Sequence, residues 1–267
     1  MKPISKTAFY CCGVRMLDAE RPNPVCGDIY ARSFMTDDGL QILDSFKEET
    51  KPNASNVGRH RIIDDLLRQE LSQHSELTII IIGAGFDSRG FRLNGGRWIE
   101  LDEPQVIQHK NERLPTSQSE NQVERIPIDF STESVEDKLS FVSHTSPVVI
   151  VIEGVFQYLD NDTIVDLLHK LKRLFPKHKL ICDLMTLEFF ENYGRRLHDK
   201  INDLGASFRL TLPNPAELFL GNGYKQLEQT SIIKMAVKFE PPGLPDSVLD
   251  TLDSSLPKGY DIFVFET

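Results

Sequence analysis

The stretch LTIIIIGAGFDSRGFRL (residues 77–93) sets a β-branched apolar run directly before two glycines and an acid. Residues 78–82 have the composition of a parallel strand buried on both faces. Gly83 and Gly85, lacking a Cβ, let the chain turn sharply and approach a ligand closely. A dinucleotide site usually completes this pattern as GxGxxG, with a helix N-terminus facing a pyrophosphate. Here Ser88 stands at the third glycine position and Asp87 precedes it. A carboxylate there repels a diphosphate and favours a ligand with a cationic amino group.

Working outward, 97–101 reads as a second strand and leads into Asp102, which follows Gly85 by 17 residues. An acid about 20 residues beyond such a loop accepts hydrogen bonds from a ribose diol. A third strand, 123–128, ends in Asp129 and Phe130, an acid and an aromatic suited to an adenine amino group and ring face. A fourth, 148–152, ends in Glu153 and Gly154. Ligands of open parallel sheets bind at the carboxyl ends of strands, and four strand ends here carry glycine or an acid. A nucleoside cofactor with an amino group and no phosphate, S-adenosylmethionine, fits this set; Asp87 and the missing third glycine disfavour a nicotinamide-dependent reductase.

The segments Arg21-Pro22-Asn23-Pro24, Asp28-Ile29-Tyr30-Ala31-Arg32, Arg61-Ile62-Ile63-Asp64, GAGFDSRGFRL (83–93), ELDEPQVIQHK (100–110), IDF (128–130) and EGVFQYL (153–159) resemble the leucine carboxyl methyltransferase family. Their order and spacing carry the resemblance from about Thr7 to Leu159. Where the family often has Asp-Thr-Arg, this chain has Asp87-Ser88-Arg89, and the region after Met185 has no clear counterpart. The resemblance implies an α/β fold of the class I methyltransferase, Rossmann-like type, with a mostly parallel central sheet flanked by helices. It further implies S-adenosylmethionine as cofactor, Arg61 paired with the carboxylate of its methionine moiety, Glu153 near that moiety, and Tyr158 positioned toward the acceptor.

Each assignment has a structural alternative. Gly83 and Gly85 also serve a plain strand-to-helix turn, Asp129 and Glu153 also cap helices, and an arginine on a helix is usually a solvated charge. Glu100, Arg89 and Arg92 are read as structural, the arginines bracing the loop. Lys6 and Thr7 are weaker candidates for closing the pocket.

At 267 residues the chain is long enough for one α/β domain with a substantial core. It divides into a helical N-terminal segment (1–60), a cofactor-binding core (61–183), a helical lid (185–211) and C-terminal strands (212–267), 262–265 among them. In the lid, Tyr193, Arg195 and Arg196 are expected to meet the acceptor, the aromatics enclosing an apolar body and an arginine meeting a carboxylate. The alternative is an amphipathic helix packed on the sheet. A formal charge of −10 disfavours nonspecific nucleic-acid binding. Neither a signal-like segment nor an apolar run of about 20 residues is present, so a cytoplasmic location without membrane contact is expected. The four cysteines form no CxxC pair and the seven histidines no HExxH motif, so no metal is implied.

The resemblance implies a reaction in which an oxygen nucleophile displaces the sulfonium methyl. A carboxylate, with a pKa near ~4, arrives ionised and needs no general base, whereas an alcohol does. The sequence therefore points to an O-methyltransferase forming a methyl ester on a small-molecule acid. A protein C-terminal carboxylate, a hydroxyl acceptor and a non-catalytic cofactor-binding protein stand as the alternatives.

Overall fold

The computed structural model describes residues 2–143, 146–209, 212–240 and 243–267; positions 210 and 211 of the expected lid lie outside the described residues. Seven strands form one sheet in the order β3-β2-β1-β4-β5-β7-β6. They are β1 (Thr78–Ile82), β2 (Arg97–Asp102), β3 (Gln122–Pro127), β4 (Val148–Ile152), β5 (Lys179–Met185), β6 (Lys225–Ser231) and β7 (Tyr260–Glu266). The first five run parallel, while β7 is antiparallel to both β5 and β6. Strand order reverses between β1 and β4, which opens a crevice at their carboxyl ends, the usual ligand position in such sheets.

The composition of each strand explains its place. Side chains of β1 alternate between two cores: Ile80 and Ile82 face Ile150, Leu168 and Phe219, whereas Ile79 and Ile81 face Ile63, Leu67 and Ile232. Both faces are covered, so the run is apolar throughout. In β7, six of seven residues are buried, and the strand lies inside the sheet. The sequence of β6, KQLEQTS, is mostly exposed and takes the edge.

Helices α1 (Pro3–Ala19), α2 (Ala31–Phe34), α3 (Asp37–Ser45) and α4 (Thr50–Gln73) precede the sheet. They share a third core in which Phe9, Phe34 and Phe46 pack with Phe86 and Val106, so the N-terminal segment roofs the crevice. The glycine loop leads into the short α5 (Arg89–Arg92), and α6 (Pro104–Arg113) and α7 (Val135–Leu139) follow β2 and β3. Helix α8 (Asn161–Leu174) buries Ile164, Leu167, Leu168, Leu171 and Leu174 at helical spacing, and Asp160 caps its N-terminus by accepting from Thr163 N.

Beyond β5 come α9 (Leu187–Phe189), a π-helical turn (Phe190–Gly194) and α10 (Arg195–Asp203). Helices α11 (Ala216–Gly221), α12 (Ile232–Phe239) and α13 (Asp246–Leu252) complete the chain with β6 and β7. Among the described residues, no helix is long and apolar enough to cross a membrane.

Candidate active site

A cavity of about 1480 Å³ lies over the crevice. Its floor is the loop after β1. Gly83 has φ +71°, and a Cβ there would stand 2.5 Å from the Val155 side chain, so a non-glycine residue meets both backbone strain and a clash. Asp102, at the end of β2, accepts from Gly85 N at 2.6 Å and from Glu103 N at 2.7 Å. The acid thereby clamps the loop to the neighbouring strand. It lines the cavity although only 8% exposed, and burial pushes its pKa up to about 6 against the two backbone donors.

A second wall is ionic. Arg89 on α5 is fully buried and donates to Asp64 at 2.6 Å and to Asp87, forms an ion pair with Glu153 at 2.8 Å, and has His60 Nδ1 2.7 Å away. His60, Asp87 and Glu153 place ligand atoms within 4.8 Å of one another, a grouping that could hold a metal ion, but the Arg89 guanidinium contacts all three. Burial opposes ionisation of Glu153, yet Arg89 and Arg59 outweigh it and hold this carboxyl well below its ordinary range. His60 is driven down by burial and then by the Arg89 charge. Arg59, on α4, donates to Glu153 at 3.0 Å, to Asp183 on β5 at 3.1 Å and to Tyr260 on β7 at 2.7 Å. Arg15 on α1 binds Asp28 at 2.9 Å and the Phe86 carbonyl at 2.8 Å, and Asp28 in turn accepts from Ser88. The roof and the glycine loop are thus held by charge-assisted hydrogen bonds.

The cavity gathers Gly83, Gly85, Asp87, Asp102, Phe130 and Glu153 from the strand ends. Tyr158, beyond β4, lines it too; burial raises its phenol, and its ring meets Phe208 edge-on at 5.1 Å. From the lid segment come Tyr193 and Arg196, the latter donating to Glu49 at 2.9 Å.

Three expected contacts lie elsewhere. Arg61 is not part of the cavity wall: it donates to Asp65 at 2.8 Å and to the Val25 carbonyl, and stacks over Phe239. Two residues along a helix turn the side chain by about 200°, so Arg59 faces the cavity and Arg61 faces away. Asp129 also lies outside the lining; it accepts from Lys2 at 2.9 Å and from Ser131, while its neighbour Phe130 stands at the wall. Arg195 faces outward, pairing with Glu191 and lying over Phe190. Thr7 lines the cavity and Lys6 does not. Glu100 is buried, does not line the cavity, and is bound by both Lys110 and Arg125. Arg59, His60, Asp183 and Tyr260 escaped the sequence reading because they come from α4, β5 and β7, whose convergence no local motif announces.

The sequence model of the leucine carboxyl methyltransferase family matches residues 8–172, more than half of the chain. The chain belongs to the leucine carboxyl methyltransferase family. It is an S-adenosylmethionine-dependent methyltransferase. Among relatives of this family member, the tetracenomycin polyketide synthesis O-methyltransferase of Streptomyces glaucescens is 25% identical over 221 residues, covering 80% of this chain and 77% of that one. A putative S-adenosyl-L-methionine-dependent methyltransferase of Streptomyces avermitilis is 30% identical over 179 residues, and the match spans 62% of this chain and 63% of the relative, under two thirds of its length. The fold is shared with a DUF574-family protein of Streptomyces avermitilis (TM-score 0.61, 15% identity, 90% of this chain and 95% of that one). It is shared too with the Synechocystis magnesium protoporphyrin IX methyltransferase (TM-score 0.51, 12% identity, 89% and 98%).

Proposed function

We propose that this methyltransferase forms a methyl ester on the carboxylate of a small molecule. The observation that supports a carboxylate is the state of the titratable groups around the end of β4. Asp87 and Glu153 are paired with Arg89, and His60 lies between Arg89 and Arg92 with both ring nitrogens contacted. Tyr10 and Tyr158 have phenols raised by burial. None of these is poised to take a proton from an alcohol, whereas a carboxylate is ionised on arrival.

The residues fit the cofactor. Asn56 Oδ1 and Gln157 Oε1 are buried oxygens on cavity-lining side chains, without a hydrogen-bond donor among the described residues; an ammonium group supplies such donors. Asp102 is proposed to receive the ribose hydroxyls, Phe130 the adenine face, and Asp87 with Glu153 the methionine end. Arg59 takes the role expected of Arg61 toward the carboxylate. When bound, S-adenosylmethionine supplies the electrophilic methyl group. The chain then aligns the acceptor oxygen along the methyl–sulfur axis and excludes water, with Tyr158, Tyr193 and Arg196 on the acceptor side.

Incubation with isotopically labelled cofactor and a panel of acids, alcohols and peptide C-termini, read by mass spectrometry, tests this. A base-labile methyl ester is the expected product, and an ether product would overturn the assignment.

A further inference from the structure

Resting on the carboxylate reading, we infer that the acceptor is a large, predominantly apolar carboxylic acid, not a short acid and not a peptide C-terminus. The first ground is space. The pocket of a single drug-sized ligand runs to about 300–1000 Å³, so a cavity of about 1480 Å³ has room for the cofactor and on the order of 500 Å³ or more besides.

The second ground is the wall of that remainder. Away from the strand-end acids, the cavity is lined by Met185 at the end of β5, Phe189 on α9, Leu197 on α10, Ile233 and Val237 on α12, and Leu256. None of these side chains donates or accepts a conventional hydrogen bond. Four of the six sit on helices, whose interior backbone groups are already paired. A peptide C-terminus needs partners for its own main chain, commonly an open strand edge, and this wall offers none. A short acid would leave most of the apolar surface facing water.

Charged side chains keep to the exposed rim. Glu48, Lys51 and Glu240, at the end of α12, are exposed on the cavity wall, and Arg196, also exposed, is tied to Glu49, itself bound at 3.5 Å by Lys200. A body with its apolar part between α9, α10 and α12 meets carbon there, with polar groups left at the rim and at the reacting end.

The test uses the full chain with S-adenosylhomocysteine and the fluorescent reporter 1-anilinonaphthalene-8-sulfonate. Competitors are acetate, benzoate, a four-ring carboxylic acid, hexadecanoate and a tripeptide with a free C-terminus, plus a four-ring phenol. The two large acids are expected to displace the reporter at concentrations about a hundredfold below benzoate or the tripeptide, and their relative strength tells a ring body from a chain. Val237→Trp, and Leu256→Trp as an independent filling variant, should weaken the large acids by about tenfold or more while leaving S-adenosylhomocysteine affinity unchanged. Absent reporter binding, equal or better competition by the tripeptide or benzoate, or filling variants without effect would overturn the inference. Methylation of the four-ring phenol but not the four-ring acid would overturn the carboxylate reading while leaving the size of the acceptor standing.

Discussion

Lowering the pH from 7 to 5 should weaken cofactor binding through one side chain, Asp102. Its carboxyl is pushed up to about 6 by burial, against the backbone donors Gly85 and Glu103. If the ribose hydroxyls donate to the ionised form, affinity follows the ionised fraction, about nine-tenths at pH 7 and about one-tenth at pH 5. The ratio is about tenfold in Kd, or about 1.4 kcal/mol. Calorimetry with S-adenosylhomocysteine at the two pH values reads this directly, and Asp102→Asn isolates the residue from other titrating groups. A Kd that stays flat, or a pH dependence that survives in Asp102→Asn, would refute the reasoning. The same shift bears on stability. The folded chain holds this proton more tightly than the unfolded chain, whose ordinary value is 3.8. The contribution is therefore complete below about pH 4 and is lost as the pH rises through about 6, of order 3 kcal/mol from this group. Cofactor binding should restore part of it, so the ligand-induced rise in Tm should be larger at pH 7 than at pH 5.

Further outcomes follow from the ionic wall and the loop. Arg61→Ala should leave cofactor affinity unchanged and alter stability by no more than about 0.5 kcal/mol, its ion pair being partly exposed. Arg59→Ala should cost about 3–5 kcal/mol in denaturant unfolding because Glu153 and Asp183 lose a buried partner; equal effects at the two arginines would contradict the assignment of faces on α4. Asp28→Asn removes the carboxylate between Arg15 and Arg92 and should cost a similar ~3–5 kcal/mol, with an unchanged urea midpoint as the adverse result. Gly83→Ala combines a positive φ with a close approach to Val155 and should lose about 1–3 kcal/mol. A circular dichroism melt matching that of the parent chain would count against the strain described for the loop.

The parallel half of the fold was readable because its strands are apolar runs ending in turn and acid residues. The expected 78–82 and 148–152 coincide with β1 and β4, and 97–101 falls one residue short of β2. Strand β5 is harder to read, since Asp183 interrupts its apolar pattern; Asp183 is buried because Arg59, Gln157 and Tyr260 all reach it. The place of β7 between β5 and β6 has no local signature. At the site, the places of the glycine loop and Asp102 on the cavity wall were legible through spacing, which survives folding. Arg61 was not, because two arginines separated by a single residue look alike in sequence and differ by more than half a turn on the helix. Asp129 met Lys2, a partner 127 residues away, and no spacing argument anticipates that. The family match ends at residue 172, so the elements that would surround the acceptor are those for which the resemblance says least.

The seat of β7 makes the cofactor half depend on the far part of the chain. Through Tyr260 this strand touches Arg59 and Asp183, and through its backbone it joins β5 to β6. The segment that matches the family is therefore not a free-standing module. A version lacking 260–266 would leave β5 and β6 each with an unpaired edge, two templates for intermolecular strand pairing, and Arg59 without its phenol partner. Aggregation and loss of cofactor binding should then arrive together, which sets a physical limit on exchanging acceptor chambers between relatives: a graft has to carry the keystone strand with it.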